Sequence, residues 1–185
     1  DILIDNGTAA ANTISASTLG AANVQPATLE VSETGNFVVS FTTSNPIPAD
    51  GKIKVTFPNS LGSGFVLSGV GLNSTTSAAN INGSLWTTVS GQTIVITRSG
   101  GSVLATGSTV GDLTIANIKN PDVVGSTGTY TIQTTTTGDV LIDEDTAVTA
   151  DTTVAGALTA TNVQPASLTA GISGNVTVTF TLDHS

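Results

Sequence analysis

Apolar and polar residues alternate in short segments along most of this chain. In residues 52–57, Ile53 and Val55 fall on one side of an extended strand, whereas Lys52 and Lys54 fall on the other. A period of two residues is typical of a β-strand with one buried face. The pattern therefore predicts a strand whose two lysines face solvent.

The same alternation, interrupted by Gly, Pro, Asn and Ser, predicts further strands. They cover residues 37–43, 52–57, 65–72, 84–89, 92–98, 112–119, 128–136 and 139–143, after a first strand that carries Leu29 and Val31. No window shows helical periodicity with capping residues. Short strands with turn signals about every ten to fifteen residues favour an all-β fold, an antiparallel β-sandwich of two sheets. A closed barrel is the alternative, and it is less natural for a unit that must join end to end.

The sequence also repeats itself. Residues 23–29 return as residues 162–168, an offset of 139, and residues 1–5 return as residues 139–143, an offset of 138. Self-similarity at a fixed period is the mark of a tandem array. We therefore expect the chain to hold one complete unit of such an array, flanked by parts of two others.

The repeat divides the chain into four predicted parts. Residues 1–23 are the last strand of a preceding unit plus a linker, and residues 24–148 form the complete sandwich. Residues 149–162 are a second linker, and residues 163–185 are the first strands of the next unit. Two explanations of the partial units stay open: a longer tandem polypeptide, or separate subunits that complete each other by strand exchange.

The net charge of the chain argues against two classes of binding partner. The 185 residues carry 4 Lys and Arg against 13 Asp and Glu, a formal net charge of −9. Nucleic acids and anionic membrane faces attract basic surfaces, so this balance argues against both as partners. No stretch of about 18 apolar residues is present, so the sequence predicts no membrane span.

Composition indicates where such a protein works. The chain has no Cys and no Met, and only 9% of its residues are charged. Thiols and thioethers are the main oxidation-prone side chains, so their absence suits long exposure outside a cell. Ser and Thr hydroxyls must then do much of the solvation that charges usually do. These features predict an extracellular or cell-surface location.

Several motifs of the unit carry a family resemblance. They are Asn-Val-Gln-Pro-Ala-Thr/Ser-Leu at residues 23–29 and 162–168, and the segments 34–43, 46–53, 55–58, 96–101, 118–121 and 128–132. With these motifs the chain resembles the Ig-like tandem-repeat proteins of microbial cell surfaces. The resemblance implies an Ig-like antiparallel β-sandwich that serves as a module of a stalk, fibre, sheath or adhesin, and it brings no catalytic motif.

The predicted function is a structural repeat module of an extracellular fibre, stalk, sheath or surface layer, with copies of itself as partners. Two alternatives stay open: an adhesin module that binds protein or carbohydrate, such as surface glycans, and a filament subunit joined by strand exchange. The single histidine, His184, has Asn45 as its repeat counterpart. A general base that changes identity between copies is a poor candidate, so we predict that the chain is not an enzyme.

Acidic residues cluster at the end of the complete unit. Asp139, Asp143, Glu144 and Asp145 lie close together in the sequence, and Asp151 follows in the predicted linker. Calcium takes about six to eight oxygen ligands, several of them carboxylates. The cluster therefore predicts a calcium site at the junction between units, and calcium is the one candidate cofactor. The alternative is a solvated acidic turn.

Two further features are candidate glycan sites. Asn6, Asn73, Asn82 and Asn175 each begin an Asn-x-Ser/Thr sequon and are candidate N-glycosylation sites. Sequons also arise by chance in a chain rich in Asn, Ser and Thr. Trp86 is the single tryptophan, and its ring is a candidate for stacking on a sugar. The alternative for Trp86 is a core or half-buried packing role.

Overall fold

The computed structural model describes the backbone of residues 15–71 and 75–182, and the side chains of these residues except 75–79 and 112. Within these ranges every helix or strand assigned is a β-strand. No helix there is long and apolar enough to cross a membrane.

The strands of the described part follow one another in short segments. They are β1 (Ser17–Thr18), β2 (Gly20–Pro26), β3 (Thr34–Thr42), β4 (Lys52–Thr56), β5 (Thr75–Ala79), β6 (Ser84–Ser90), β7 (Thr93–Ser99), β8 (Thr109–Lys119), β9 (Gly125–Ser126), β10 (Tyr130–Thr135), β11 (Leu141–Val148), β12 (Thr152–Thr153), β13 (Thr159–Pro165) and β14 (Val176–Thr181).

Two sheets contain most of these strands. One has the order β1-β11-β10-β4-β7-β6 and the other has the order β2-β3-β8-β5. Neighbouring strands are antiparallel except for β1 and β11, which run parallel. A short ladder joins β9 to β12, and β13 pairs with β14 in a separate hairpin.

Alternate residues of the two sheets fill the core between them. Phe37, Val39 and Phe41 of β3 are buried, and Ile53 and Val55 of β4 face them from the other sheet with no exposed surface. Burial of such side chains is the main stabilising term in a fold of this kind. The predicted all-β sandwich is confirmed, as is the outward direction of the two β4 lysines.

An aromatic cluster lies in this core. The rings of Phe37, Phe57 and Phe65 meet edge to face, with centroids 5.2–5.7 Å apart. Tyr130 packs on Phe57 at 5.6 Å in the same manner. Such edge-to-face pairs add about 0.5–1.5 kcal/mol each beyond the apolar area they bury.

The strand predicted at residues 65–72 is wrong for its described part. Phe65 and Leu67 are buried and Val66 is exposed, so the alternation is real. The segment nevertheless pairs with the sheet at one bridge, Val66 to Lys119, and then turns back. It is a loop that covers the aromatic cluster, and its alternation reflects burial alone.

Strand β5 was not predicted, β8 begins three residues before its predicted start, and the first and last long strands also differ from their predicted bounds. The first long strand is β2, which ends at Pro26, whereas Leu29 and Val31 flank a single bridge between Glu30 and Val154. The last strand of the sandwich runs five residues beyond the predicted end at residue 143, because Val148 closes the core there. Its polar residues 143–146 interrupt the apolar alternation on which the prediction depended.

The predicted linkers also contain ordered strands. Leu19 lies before the expected boundary at residue 24, yet it is 3% exposed and its backbone N–H donates to the Glu144 carbonyl at 3.1 Å. The interval 149–162 contains β12 and the start of β13. Within this interval only residues 149–151 and 155–158 lie outside a paired strand or bridge.

The sandwich has two distinct ends, which we call proximal and distal. Strands β2 and β11 both start at the proximal end, near Asn45 and Ser17, and both finish at the distal end. After β11 the chain forms β12 at the distal end, where Thr153 is buried beside Gly125. The chain thus enters the unit at one end and leaves it at the other.

Candidate functional surfaces

The outer face of the six-stranded sheet carries a polar groove of about 500 Å³. Hydroxyl side chains of β4, β6 and β7 line it together with Gln133. The Nζ atoms of Lys52 and Lys54 each lie 3.0 Å from a carboxylate oxygen of Asp139. Because this carboxylate offsets one of the two lysine charges, the groove is polar rather than strongly basic.

Trp86 lies beside this groove on β6. It is half-buried and stands opposite Thr97 of β7, a residue that lines the groove. The structure thus places the indole at the side of a hydroxyl-rich surface. Sugar binding through Trp86 stays a prediction.

Asp143, one of the predicted calcium ligands, is a fully buried carboxylate. Its Oδ2 accepts hydrogen bonds from the backbone N–H groups of Ser44 at 3.1 Å and Asn45 at 2.9 Å. Its Oδ1 accepts a third from Asn45 Nδ2 at 2.7 Å. These donors come from the loop after β3, so Asp143 ties that loop to the opposite sheet.

The other predicted calcium ligands point to separate partners. Asp151 Oδ2 accepts a hydrogen bond from the Tyr130 hydroxyl at 2.7 Å, and Glu144 Oε2 accepts one from Gln133 Nε2 at 3.1 Å. Asp145 Oδ1 accepts one from a backbone N–H two residues further on, at 2.9 Å. Among the described residues no group of three or more His, Cys, Asp or Glu could hold a metal ion. Calcium binding stays a prediction.

The candidate N-glycosylation sites lie in different settings. Asn82 is exposed in the turn before β6, where its Nδ2 donates to Ser102 Oγ at 3.0 Å. Asn175 is exposed just before β14. Asn6 and Asn73 lie outside the described residues, as does His184. Glycosylation stays a prediction at all four asparagines.

Asp139 and Asp151 are expected to titrate on opposite sides of the ordinary aspartate pKa of 3.8. Hydrogen bonds from Lys52 and then Lys54 lower the pKa of Asp139, so its contribution to stability is present above 3.8 and is lost as the pH falls through the lowered value. Burial raises the pKa of Asp151, and the Tyr130 hydrogen bond opposes this only in part. Its contribution is therefore largest below 3.8 and is lost as the pH rises through the raised value.

Carboxyl-carbon NMR of the full chain, recorded from pH 2 upwards, measures both values of pKa directly. Asp139→Asn and Asp151→Asn assign the two resonances and serve as mutual controls. A single common midpoint for the two groups would contradict the hydrogen-bonding and burial that the structure gives them.

The hairpin of β13 and β14 reproduces the hairpin of β2 and β3 residue for residue. Val24 pairs with Val39 in the first hairpin, and Val163 pairs with Val178 in the second, each partner 139 positions later. The other paired positions show the same offset, including an irregularity after the first pair. Ala21 and its counterpart Ala160 even share a positive φ, at 45° and 49°. The sequence repeat is therefore also a repeat of backbone structure.

The second hairpin exposes the face that the first hairpin buries. Val39 and Phe41 are fully buried, whereas their counterparts Val178 and Phe180 are 60% and 53% exposed. Further exposed apolar side chains on the second hairpin and its flanks include Leu158, Val163, Leu168, Ile172, Val176 and Leu182. Contiguous apolar surface of this kind marks a site that another protein element covers.

The two ends of the sandwich carry apolar surfaces that strand patterning did not reveal. At the distal end, Val123, Val124 and Val154 are 46%, 54% and 46% exposed, and we call them the distal patch. At the other end lies a hollow of about 520 Å³, which we call the proximal hollow; its lining is Ser15, Ser17, Asn45, Val140, Leu141 and Ile142. Adjacent apolar residues, Val123-Val124 in a turn and Val140-Leu141 at the start of β11, are the sequence signal that could have identified both.

Comparison with known proteins adds a structural likeness. No family model matches the chain, and no curated protein matches it. Among solved structures, the chain is similar to a chain of a cohesin–dockerin complex crystallised at pH 5.5. The identity is 13% and the TM-score 0.42, over 75% of this chain and 100% of that chain.

Proposed function

We propose that this chain is part of an extracellular array in which the sandwich recurs end to end as the structural module of a fibre, stalk, sheath or surface layer. The observation that carries the proposal is the second hairpin, which repeats the strand register of the first at an offset of 139 residues. A repeat conserved in register as well as in sequence supports a second copy of the same fold.

The exposed face of the second hairpin supports the same proposal. In the first copy β3 pairs with β8 along its edge, and the face packs on the opposite sheet with its side chains buried. Burying one such apolar side chain stabilises a fold by about 1.5–3 kcal/mol. A hairpin alone is at best marginally stable in water. The remainder of a second sandwich would supply both the missing strand neighbour and the missing core.

The path of the chain suits a load-bearing module. The chain enters at the proximal end, leaves at the distal end, and so adds units along one direction. Near the entry of the chain, β1 runs parallel to β11, which comes last in chain order among the strands of the six-stranded sheet. A pull along the array would load the hydrogen bonds between these strands together, in shear, instead of breaking them one after another.

The surface chemistry fits an extracellular structural role. Hydroxyl side chains line the outer groove, and the chain has no Cys or Met to oxidise. Glycan contacts in the groove and glycans on exposed asparagines belong to the same proposal as secondary features. They would cover the surface of the array without changing how its units join.

The intact mass of the native polypeptide, before and after deglycosylation, tests the array. We expect a mass many times the 18.3 kDa of this chain, and electron microscopy should show beads at a regular spacing. A deglycosylated mass near 18.3 kDa would contradict the tandem array. In that case subunits joined by strand exchange, or an adhesin of few units, would account better for the exposed hairpin.

A further inference from the structure

We infer that successive units dock head to tail through a built interface, in which the distal patch of one sandwich sits on the proximal hollow of the next. The inference rests on the proposed array and specifies how its units meet. It makes the array a rigid rod rather than a chain of freely jointed beads.

Val154 belongs to the distal patch of one unit, and by its repeat position it also belongs to the proximal hollow of the next unit. At the distal end, the Val154 N–H donates to the Leu29 carbonyl at 2.8 Å, and the Val154 carbonyl accepts from the Val31 N–H at 2.9 Å. In the repeat, Val154 is the counterpart of Ser15, which lines the proximal hollow. The same residue is therefore the last to be held by one unit and part of the hollow of the next.

The chain between the two units is too short to separate them. Gly156 is the counterpart of Ser17, which pairs with Asp143 at the start of β1. Ala155 alone lies between Val154 and Gly156, and two residues of extended chain reach at most about 7 Å. The two ends must therefore lie close to each other whenever both units are folded.

The chemistry of the two ends is complementary. The distal patch projects three valines, and the proximal hollow presents Val140 and Leu141, which are 65% and 37% exposed. Contact would remove both sets from water, which is favourable. The two surfaces differ from each other, so the contact is heterologous and continues from unit to unit instead of closing after two.

The test uses the full chain lengthened by one period, residues 1–158 followed by residues 20–185, which joins two complete units through the native junction. Because the chain has no cysteine, Thr88→Cys in both units gives two specific spin-label sites on the exposed outer face. Pulsed electron paramagnetic resonance then measures the distribution of distances between the units. We expect one narrow distribution.

Matched variants separate docking from simple tethering. A five-residue Gly-Ser insertion after Ala155 should broaden the distribution, because a flexible linker lets the ends part. Val124→Asp in the first unit should broaden it as well, since it places a charge in the apolar contact. Val103→Asp in the first unit is the control: this valine is 58% exposed, at the end of that unit that faces away from the junction.

A parent distribution as broad as that of the insertion variant would overturn the inference. So would a narrow distribution that Val124→Asp leaves unchanged. Either result leaves the proposed array standing, because the mass of the native polypeptide decides the array independently. Conversely, a narrow distribution here does not depend on how many units the native polypeptide contains.

Discussion

Replacing Phe41 with alanine is expected to lower the free energy of unfolding of the sandwich by about 3–5 kcal/mol. Its repeat counterpart Phe180, replaced in the same way, is expected to change that free energy by less than about 0.5 kcal/mol. Phe41 has no exposed surface, whereas Phe180 is 53% exposed on the second hairpin. The same substitution is thus expected to have a large effect at one position and almost none at the equivalent position, because only Phe41 is buried.

Urea denaturation of the full chain and of the two variants, followed by the fluorescence of Trp86, gives both numbers. A lower urea midpoint for Phe41→Ala, with an unchanged dependence of the unfolding free energy on urea concentration, would show that this variant changes stability alone. Equal losses for the two variants would contradict the structure, since they would require the second hairpin to pack against the sandwich. In the lengthened chain with two complete units, the cost of removing the second-copy phenylalanine should rise to match that of Phe41.

Most of the sandwich was predictable because its strands obey a simple period. Residues 52–57 place their apolar residues on one face, and residues 92–98 place Ile94 and Ile96 on one face with Val95 on the other; the structure has β4 and β7 there. Alternation fails as a predictor of strands where a buried residue is not strand-paired, or where a strand carries a buried polar residue. Phe65 and Leu67 alternate because a loop covers the aromatic cluster, and β11 loses its alternation because a buried carboxylate takes a core position.

The repeat was predictable from sequence, but the junction was not. Residues 149–162 have the composition of a linker, and yet Thr153 and Val154 are tied to the distal end by hydrogen bonds. Their partners, the Val123 carbonyl and the loop at Leu29, are distant in sequence. Local patterning detects strands through periodic burial, and it carries no information on such isolated contacts.

The network around Arg98 was beyond sequence patterning for a similar reason. Arg98 lies near the end of β7, and its guanidinium is almost fully buried. It donates to the carbonyls of Pro48 at 3.0 Å and Ser102 at 2.9 Å. Burial lowers the pKa of this group. The carbonyls that hold it come from two loops whose meeting depends on the whole fold.

The acidic cluster shows how closeness in sequence differs from closeness in space. Asp143 and Glu144 are neighbours in a strand, so their side chains leave on opposite faces. Asp143 enters the core, and Glu144 stays on the outer side beside Gln133. A set of ligands for one ion needs side chains that converge, and alternation within a strand separates them.

Replacing Asp143 with alanine is expected to lower the free energy of unfolding by about 3–5 kcal/mol, as loss of a buried hydrogen-bond network does. The change removes the acceptor of the backbone N–H groups of Ser44 and Asn45, and it removes one of the two hydrogen bonds of the Asn45 side-chain amide, which keeps Ser17 Oγ as an acceptor. Asp143→Asn keeps an acceptor oxygen and should cost less. Thermal and urea denaturation of the full chain measure both losses.

Asp145→Ala is the matched control that separates this structural role from a calcium site. The Asp145 carboxylate accepts a hydrogen bond from a backbone N–H of its own strand at 2.9 Å, so its loss should cost less than about 1 kcal/mol. If Asp143 and Asp145 were ligands of one ion, both variants would be less stable than the parent chain in calcium, and a chelator would abolish that difference between each variant and the parent. If Asp143 acts by holding the loop after β3, its large effect persists unchanged in chelator, and the small effect of Asp145→Ala does too.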